Sequence, residues 1–145
     1  MHKDTVTIFN RKKGTAQSGD VWYPTILKGV NLNIDRAAIL AKYGLDAKDG
    51  AALSVPYKIG TYGIEVAGKP WMPPKQWDGT EDSITFSTGG DFVWWGEWTG
   101  GIVSDSDYGA DGFYGYMNRK KDYVFAISAV GGPYTVIPHF EILGK

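Results

Sequence analysis

The sequence predicts a mainly β protein, a small barrel or sandwich with long loops and at most one or two short helices. Three observations lead there. Nine Tyr, six Trp and six Phe accompany twenty Gly; aromatic rings suit a pleated, half-buried surface, and Gly turns the chain at low steric cost. Strand-length apolar runs recur at short intervals, punctuated by Gly, Pro and Asp. Only one stretch, Asp35 to Gly44, carries the grammar of a helix.

The elements follow in order. Val6 to Phe9 reads as a first strand, ended by the polar loop Arg11 to Asp20, whose three successive cations suit a solvated connection. Trp22 to Leu27 and Val30 to Ile34 read as strand, with Gly29 as a bulge between them. Asp35 is then an acidic N-cap before good helix formers and Gly44, giving one or two helical turns. The same residues could instead extend the strand, with Lys42 to Gly50 as the loop. A helix this short is marginal on propensity, so tertiary contacts decide.

Ala51 to Tyr57 is strand-like, and Ile59 to Val66 continues as a strand interrupted by Gly. Lys69 to Trp77 holds three prolines, which lack the ladder N–H, so this segment is expected as a stiff, extended loop outside any sheet. Ser83 to Ser87, Asp91 to Trp98 and Asp122 to Val130 read as strands. Gly131-Gly132-Pro133 turns the last of these into a closing segment, Tyr134 to Leu143. No repeat and no linker interrupts the chain, so residues 1–145 are expected to form a single β-barrel-like domain.

At 145 residues a chain buries roughly 68–70% of its unfolded surface, enough for a core without staples. The formal net charge of −1 marks neither a nucleic-acid nor a membrane-surface partner. The absence of cysteine excludes thiolate metal sites, thiol nucleophiles and disulfides. Met1 to Asp4 lacks the apolar core of a signal peptide, and Tyr123 to Val130 is far shorter than the ~20 residues of a membrane span. The expectation is a soluble chain made in the cytoplasm, with no membrane partner.

The residues that could carry chemistry are few. His2 sits in a terminus, which leaves His139 as the one imidazole for a triad or metal site. Glu141 shares its strand face, but a catalytic zinc needs three ligands. His139 therefore reads first as structural, with a small hydrolase or metalloenzyme using it as a rival reading. The Gly residues form no phosphate-binding loop or dinucleotide fingerprint, and no nucleophile elbow is present. Asp105, Asp107 and Asp111 have calcium-loop spacing, yet Ala110 stands where the sharp turn wants Gly and Tyr116 where a bidentate Glu belongs. A looser oxygen cage stays open beside the plainer reading, in which these Asp side chains cap their own loop. The chain is expected to be no enzyme, with no catalytic residue, metal site or cofactor.

Strand alternation puts Phe92, Trp94 and Trp98 on one face, with Val93, Trp95 and Glu97 on the other. Apolar groups on both faces suit burial in a core or against a neighbouring subunit. A sugar platform would want them on one exposed face. A carbohydrate-binding β-sandwich, stacking a sugar on Trp71 or Trp77, remains the alternative function.

Several segments in order carry a resemblance. The chain opens with Thr5-Val-Thr-Ile-Phe-Asn10 and leads through a Trp/Tyr strand into Leu27-Lys-Gly-Val-Asn31. Tyr43-Gly-Leu-Asp-Ala47 precedes Ala52-Leu-Ser-Val-Pro56. A Lys-Pro-x-x-Trp-type loop then precedes Ile84-Thr-Phe and Gly90-Asp-Phe-Val93. Tyr123 to Val130 and Pro138-His-Phe-Glu-Ile142 close the chain. This order resembles the minor capsid or head–tail connector proteins of tailed phages and prophages of Gram-positive bacteria. The stretch Trp94 to Asn118 departs from the pattern in being longer.

The resemblance implies a virion protein, made in the host cytoplasm, that forms a ring at the neck below the portal. Its partners would be portal or adaptor proteins, tail or tail-terminator proteins, copies of itself, and packaged DNA near the channel without sequence specificity. The residues expected to dock such partners are Trp71 and Trp77 on the stiff loop, Trp95 on the aromatic strand, and Tyr108, Tyr114 and Tyr116 in the Gly-rich segment Gly100 to Asn118. Trp and Tyr dominate binding hot spots. The opposing reading folds Trp71 and Trp77 back as a lid on the barrel's own core.

Overall fold

The structure is a computed structural model that describes residues 3–15, 19–34 and 50–145. The expected helix Asp35 to Gly44 lies outside the described residues, as does the segment Tyr43 to Ala47. In chain order the elements are β1 (Asp4–Lys12), β2 (Val21–Ile34), β3 (Ala51–Pro56), β4 (Lys58–Gly60), β5 (Gly63–Val66), β6 (Lys69–Pro70), β7 (Phe92–Trp94) and β8 (Val103–Ser104). A 3₁₀ turn (Asp105–Tyr108), helix α1 (Gly112–Lys120), β9 (Val124–Tyr134) and β10 (His139–Gly144) complete them.

Six strands close a barrel in the order β1-β7-β9-β10-β3-β2, and β2 returns to β1. Every pairing is antiparallel. Closure depends on β2, whose first half pairs with β1 and whose second half pairs with β3. Gly29 makes the bend between the halves. Its φ of +70° favours glycine, and the register steps from Asp4↔Val30 to Thr5↔Lys28 across it. The bulge read from the sequence is present. A mainly β barrel is thus the fold.

The sequence alternates as a barrel wall must. Val6, Ile8, Val93, Phe125, Ile127, Phe140 and Ile142 point inward and are buried together. Phe9, Phe92 and Val124 point outward, where they form a second core with Trp22, Val103, Phe113 and Met117. Helix α1 lies over that outer face, so the barrel has one wall of double thickness. Phe92, Trp94 and Trp98 do share a face, and it is this one.

Several boundaries differ from the sequence reading. Ser83 to Phe86 is buried but belongs to no named strand. It runs through one end of the barrel as a plug, with Ile84 and Phe86 in the interior core. Asp91 to Trp98 pairs only over Phe92–Trp94, because Thr7 Oγ1 then captures the chain, donating to Gly96 O and accepting from Trp98 N. Lys69–Pro70 does enter a sheet, at the edge of the small β4-β5-β6 sheet, where a missing N–H is tolerated. Gly131-Gly132-Pro133 lies within β9, and the turn comes at residues 135–138.

Helix α1 was not legible in the sequence. It contains Gly112 and Gly115, and its N-cap makes no side-chain hydrogen bond. Packing supplies its stability. Phe113 and Met117, one helical turn apart, are fully buried on the barrel wall. Asp105 Oδ1 accepts from the Phe113 N–H at 2.9 Å, satisfying one donor of the first turn.

Candidate functional site

The aromatic residues expected to dock a partner fall into three environments. Trp71 is bridged to the plug at Ile84, and Trp77 follows it in the same loop. Trp71 N donates to Ile64 O, Met72 N to Ile84 O, and Ile84 N to Pro70 O. The Trp71 ring packs 4.9 Å from Phe140, itself 5.0 Å from Phe86. Trp77 meets Tyr23 edge-on at 6.0 Å. Both indole N–H groups are buried without an acceptor in the protein. The Trp71 ring packs against the interior core, and the Trp77 ring against Tyr23.

The loop beyond is held by Asp78, whose Oδ1 accepts from Ser83 Oγ at 2.6 Å and from Thr80 Oγ1. The Ser83 hydrogen bond leads in holding this carboxyl below its ordinary value. Lys69 Nζ donates to Thr25 Oγ1 at 2.9 Å, and burial lowers its pKa.

Tyr108, Tyr114 and Tyr116 line the second core. Tyr108 stands 5.0 Å from Phe113 and 4.8 Å from Tyr116, and Tyr114 stands 5.0 Å from Phe92. Burial raises the Tyr108 and Tyr114 phenols above their ordinary value. The tyrosines of Gly100 to Asn118 thus pack on the barrel's own outer core. Trp95 is different. It is 39% exposed and pairs edge-on with the equally exposed Tyr123 at 5.2 Å. Of the six expected docking residues, Trp95 is the one classed as exposed.

In the acidic loop, Asp105 and Asp111 bond within the protein. Asp105 Oδ1 also accepts from Trp22 Nε1 at 2.6 Å, and Asp111 pairs with Arg119. Among the described residues no cluster of three or more His, Asp or Glu is arranged to hold a metal. His139 and Glu141 share a face as expected, 3.2 Å apart. The other imidazole nitrogen lies 2.6 Å from Ile137 O, and the ring packs 5.0 Å from Tyr134.

Two features escaped the sequence reading. The first is a buried polar knot at the plugged end. Asn10 Nδ2 donates to Thr85 O and to Asp91 Oδ2, while the N–H groups of Arg11 and Ser87 donate to the Asp91 carboxylate. Burial pushes that carboxyl up to about 6 despite these donors. Its members are up to 81 residues apart, so no local pattern announces it.

The second is a set of exposed apolar side chains on two neighbouring hairpins. Ile59 and Tyr62 stand on β4-β5, and Tyr134, Val136 and Ile137 on the end of β9-β10. Tyr57 ties the hairpins together, its N–H donating to Pro138 O and its hydroxyl to Tyr134 O. The signal was available: the sequence from Tyr123 to Pro138 contains no charged residue.

Over residues 1–145 the chain matches the model of one protein family, described as a family of unknown function (DUF6751). No curated protein and no solved structure matches it.

Proposed function

The chain is a member of that family, and we propose that it is a structural virion protein, a head-completion ring component that joins the portal region of a tailed phage to the tail. The observation that carries this reading is a barrel filled by its own chain, with apolar and aromatic side chains left exposed on its connections. Ile84 and Phe86 occupy the interior, so among the described residues the barrel is filled by its own side chains. Val136, Tyr62 and Trp95 stand outside. Val136 and Tyr62 stand on the two hairpins that Tyr57 ties together, and Trp95 stands beside Tyr123 just before β9; exposed apolar groups mark surfaces that a partner covers.

The ordered segments of the sequence that resemble neck proteins favour a portal or adaptor protein on one side and a tail protein on the other. The work is mechanical: retaining DNA and presenting a docking surface, without covalent chemistry. A net charge of −1 suits a channel past which DNA moves without being held.

Mass spectrometry and cryo-microscopy of purified particles test the assignment. The expected result is the protein in mature virions, as a ring at the neck. Its absence from virions overturns the reading. Trp95→Ala separates docking from folding, since the exposed ring contributes little to stability. Normal melting with particles that fail to join heads to tails is the expected outcome.

A further inference from the structure

Asp91 is a buried acid without an ion pair. It is 2% exposed, and the groups that hydrogen-bond its carboxylate are neutral: the Asn10 amide and the N–H groups of Arg11 and Ser87. The charged groups around it belong to few elements. On β1 the Arg11 guanidinium lies against Gly90, yet its Nε pairs with Asp20 at 3.6 Å rather than with Asp91. Asp105 and Asp111 face Arg11 and Gly90 across a shared pocket. From β9 comes Ile127, whose N–H donates to Asp91 O, and from the plug come Thr85 and Ser87, none of which titrates near neutral pH. A carboxylate buried with hydrogen bonds but no counter-ion keeps part of its desolvation cost.

The rest of the knot is short of donors. Asn10 Nδ2 spends its hydrogens on Thr85 O and Asp91 Oδ2, while Asn10 Oδ1 and Thr85 Oγ1 are buried without partners in the protein. Leaving such groups dry is costly. A proton on Asp91 removes the charge and adds a donor; an ionised Asp91 only accepts. Without that proton, water is what the knot lacks.

The chain beside Asp91 is built to admit it. Residues 83–90 take no part in the ladders that close the barrel. Ile84 is held by backbone bonds to Met72 and Pro70, but the next tie, at Ser87, is its N–H to Asp91 Oδ2 at 3.2 Å. Thr88 and Gly89 are exposed, and Gly90 has a φ of +130°, open to glycine. A hinge thus precedes the acid directly.

We propose that Asp91 is a proton-operated latch on the turn from Ser87 to Gly90: protonated, it keeps the turn shut over the knot, and ionised, it lets the turn lift and water enter while the six-stranded barrel stays closed. Burial fixes the direction. The shut form holds the carboxyl up to about 6, whereas a hydrated Asp titrates near ~3.9. Lifting therefore becomes easier by up to about tenfold per pH unit between those values, roughly 100-fold in all. The latch assigns this pH dependence to one turn, and it holds whether or not the chain works in a virion neck.

Native-state hydrogen exchange of the full chain tests it, read by NMR at pH 4 and pH 7 with the intrinsic pH dependence of exchange removed. Protection of the Ser87 N–H is expected to be about 100-fold lower at pH 7. Low urea should leave the Ser87 rate unchanged while accelerating β10 amides, which exchange by global unfolding. In Asp91→Asn the pH dependence at Ser87 should vanish. Titration of the Asp91 carboxyl carbon in the wild type stands independently of that variant's folding, with a midpoint expected near the raised value. Equal Ser87 protection at the two pH values, or a pH dependence that survives in Asp91→Asn, overturns the latch. So does a urea response at Ser87 matching that of β10, or a carboxyl midpoint near ~3.9.

Discussion

Asn10 and Asp91 meet inside the barrel with Nδ2 of the amide 2.8 Å from Oδ2 of the carboxylate. The contact ties β1 to the segment that plugs the barrel, because Asn10 also holds Thr85 O and Asp91 also holds Ser87 N. Arg11, paired with Asp20 at 3.6 Å, is the charged neighbour that faces this group.

Asp91 should make stability pH-dependent in an unusual direction. Burial pushes its carboxyl up to about 6, whereas an unfolded Asp titrates near ~3.9. The folded chain therefore binds this proton more tightly than the unfolded one. Stability from this group rises as pH falls from about 6 towards about 4, and that gain is absent above the window. The difference corresponds to about 3 kcal/mol. Urea unfolding of wild type and Asp91→Asn at pH 7 and pH 4 checks it. Wild type should gain on the variant in acid, and an unchanged difference would count against the buried carboxyl.

Trp71→Ala should destabilise the isolated protein by about 3 kcal/mol, since it removes a large side chain packed on Phe140. That is roughly 10 °C in melting temperature for a chain of this size. Trp77→Ala, with its edge-on contact to Tyr23, should cost about half as much. Differential scanning calorimetry distinguishes these from Trp95→Ala, which should melt like wild type.

Asp105→Ala should loosen the second core by about 2 kcal/mol, because it strips the acceptor from Trp22 Nε1 and from the Phe113 N–H. Near-ultraviolet circular dichroism should weaken while the barrel's far-ultraviolet signal persists. Asp105→Asn, which retains an acceptor oxygen, should recover part of the loss.

Gly29→Ala should cost about 1 kcal/mol. Open space surrounds a Cβ at this position, so the penalty is the backbone's, from a φ of +70°. A urea midpoint unchanged from wild type would show that the bend of β2 does not need that conformation.

Local information determined much of this molecule. Gly-punctuated aromatic runs specified strands, alternation put Phe92, Trp94 and Trp98 on one face, and Gly29 marked the bulge, because each depends on residues within a few positions of one another. What covers those faces is settled by residues distant in sequence. Phe113 and Met117 make a helix of a Gly-containing segment only because Phe9, Trp22 and Phe92 lie beneath them. Ser83 to Ser87 looked like a strand, yet its alternation serves a plug, since the ladder positions around the barrel are taken by the six strands that close it. Asp91 reads as the first residue of an aromatic strand until β1 brings Asn10 and Arg11 to it. Periodicity reports which side chains share a face; burial and a raised carboxyl depend on which distant segment arrives there, and only closure of the barrel decides that.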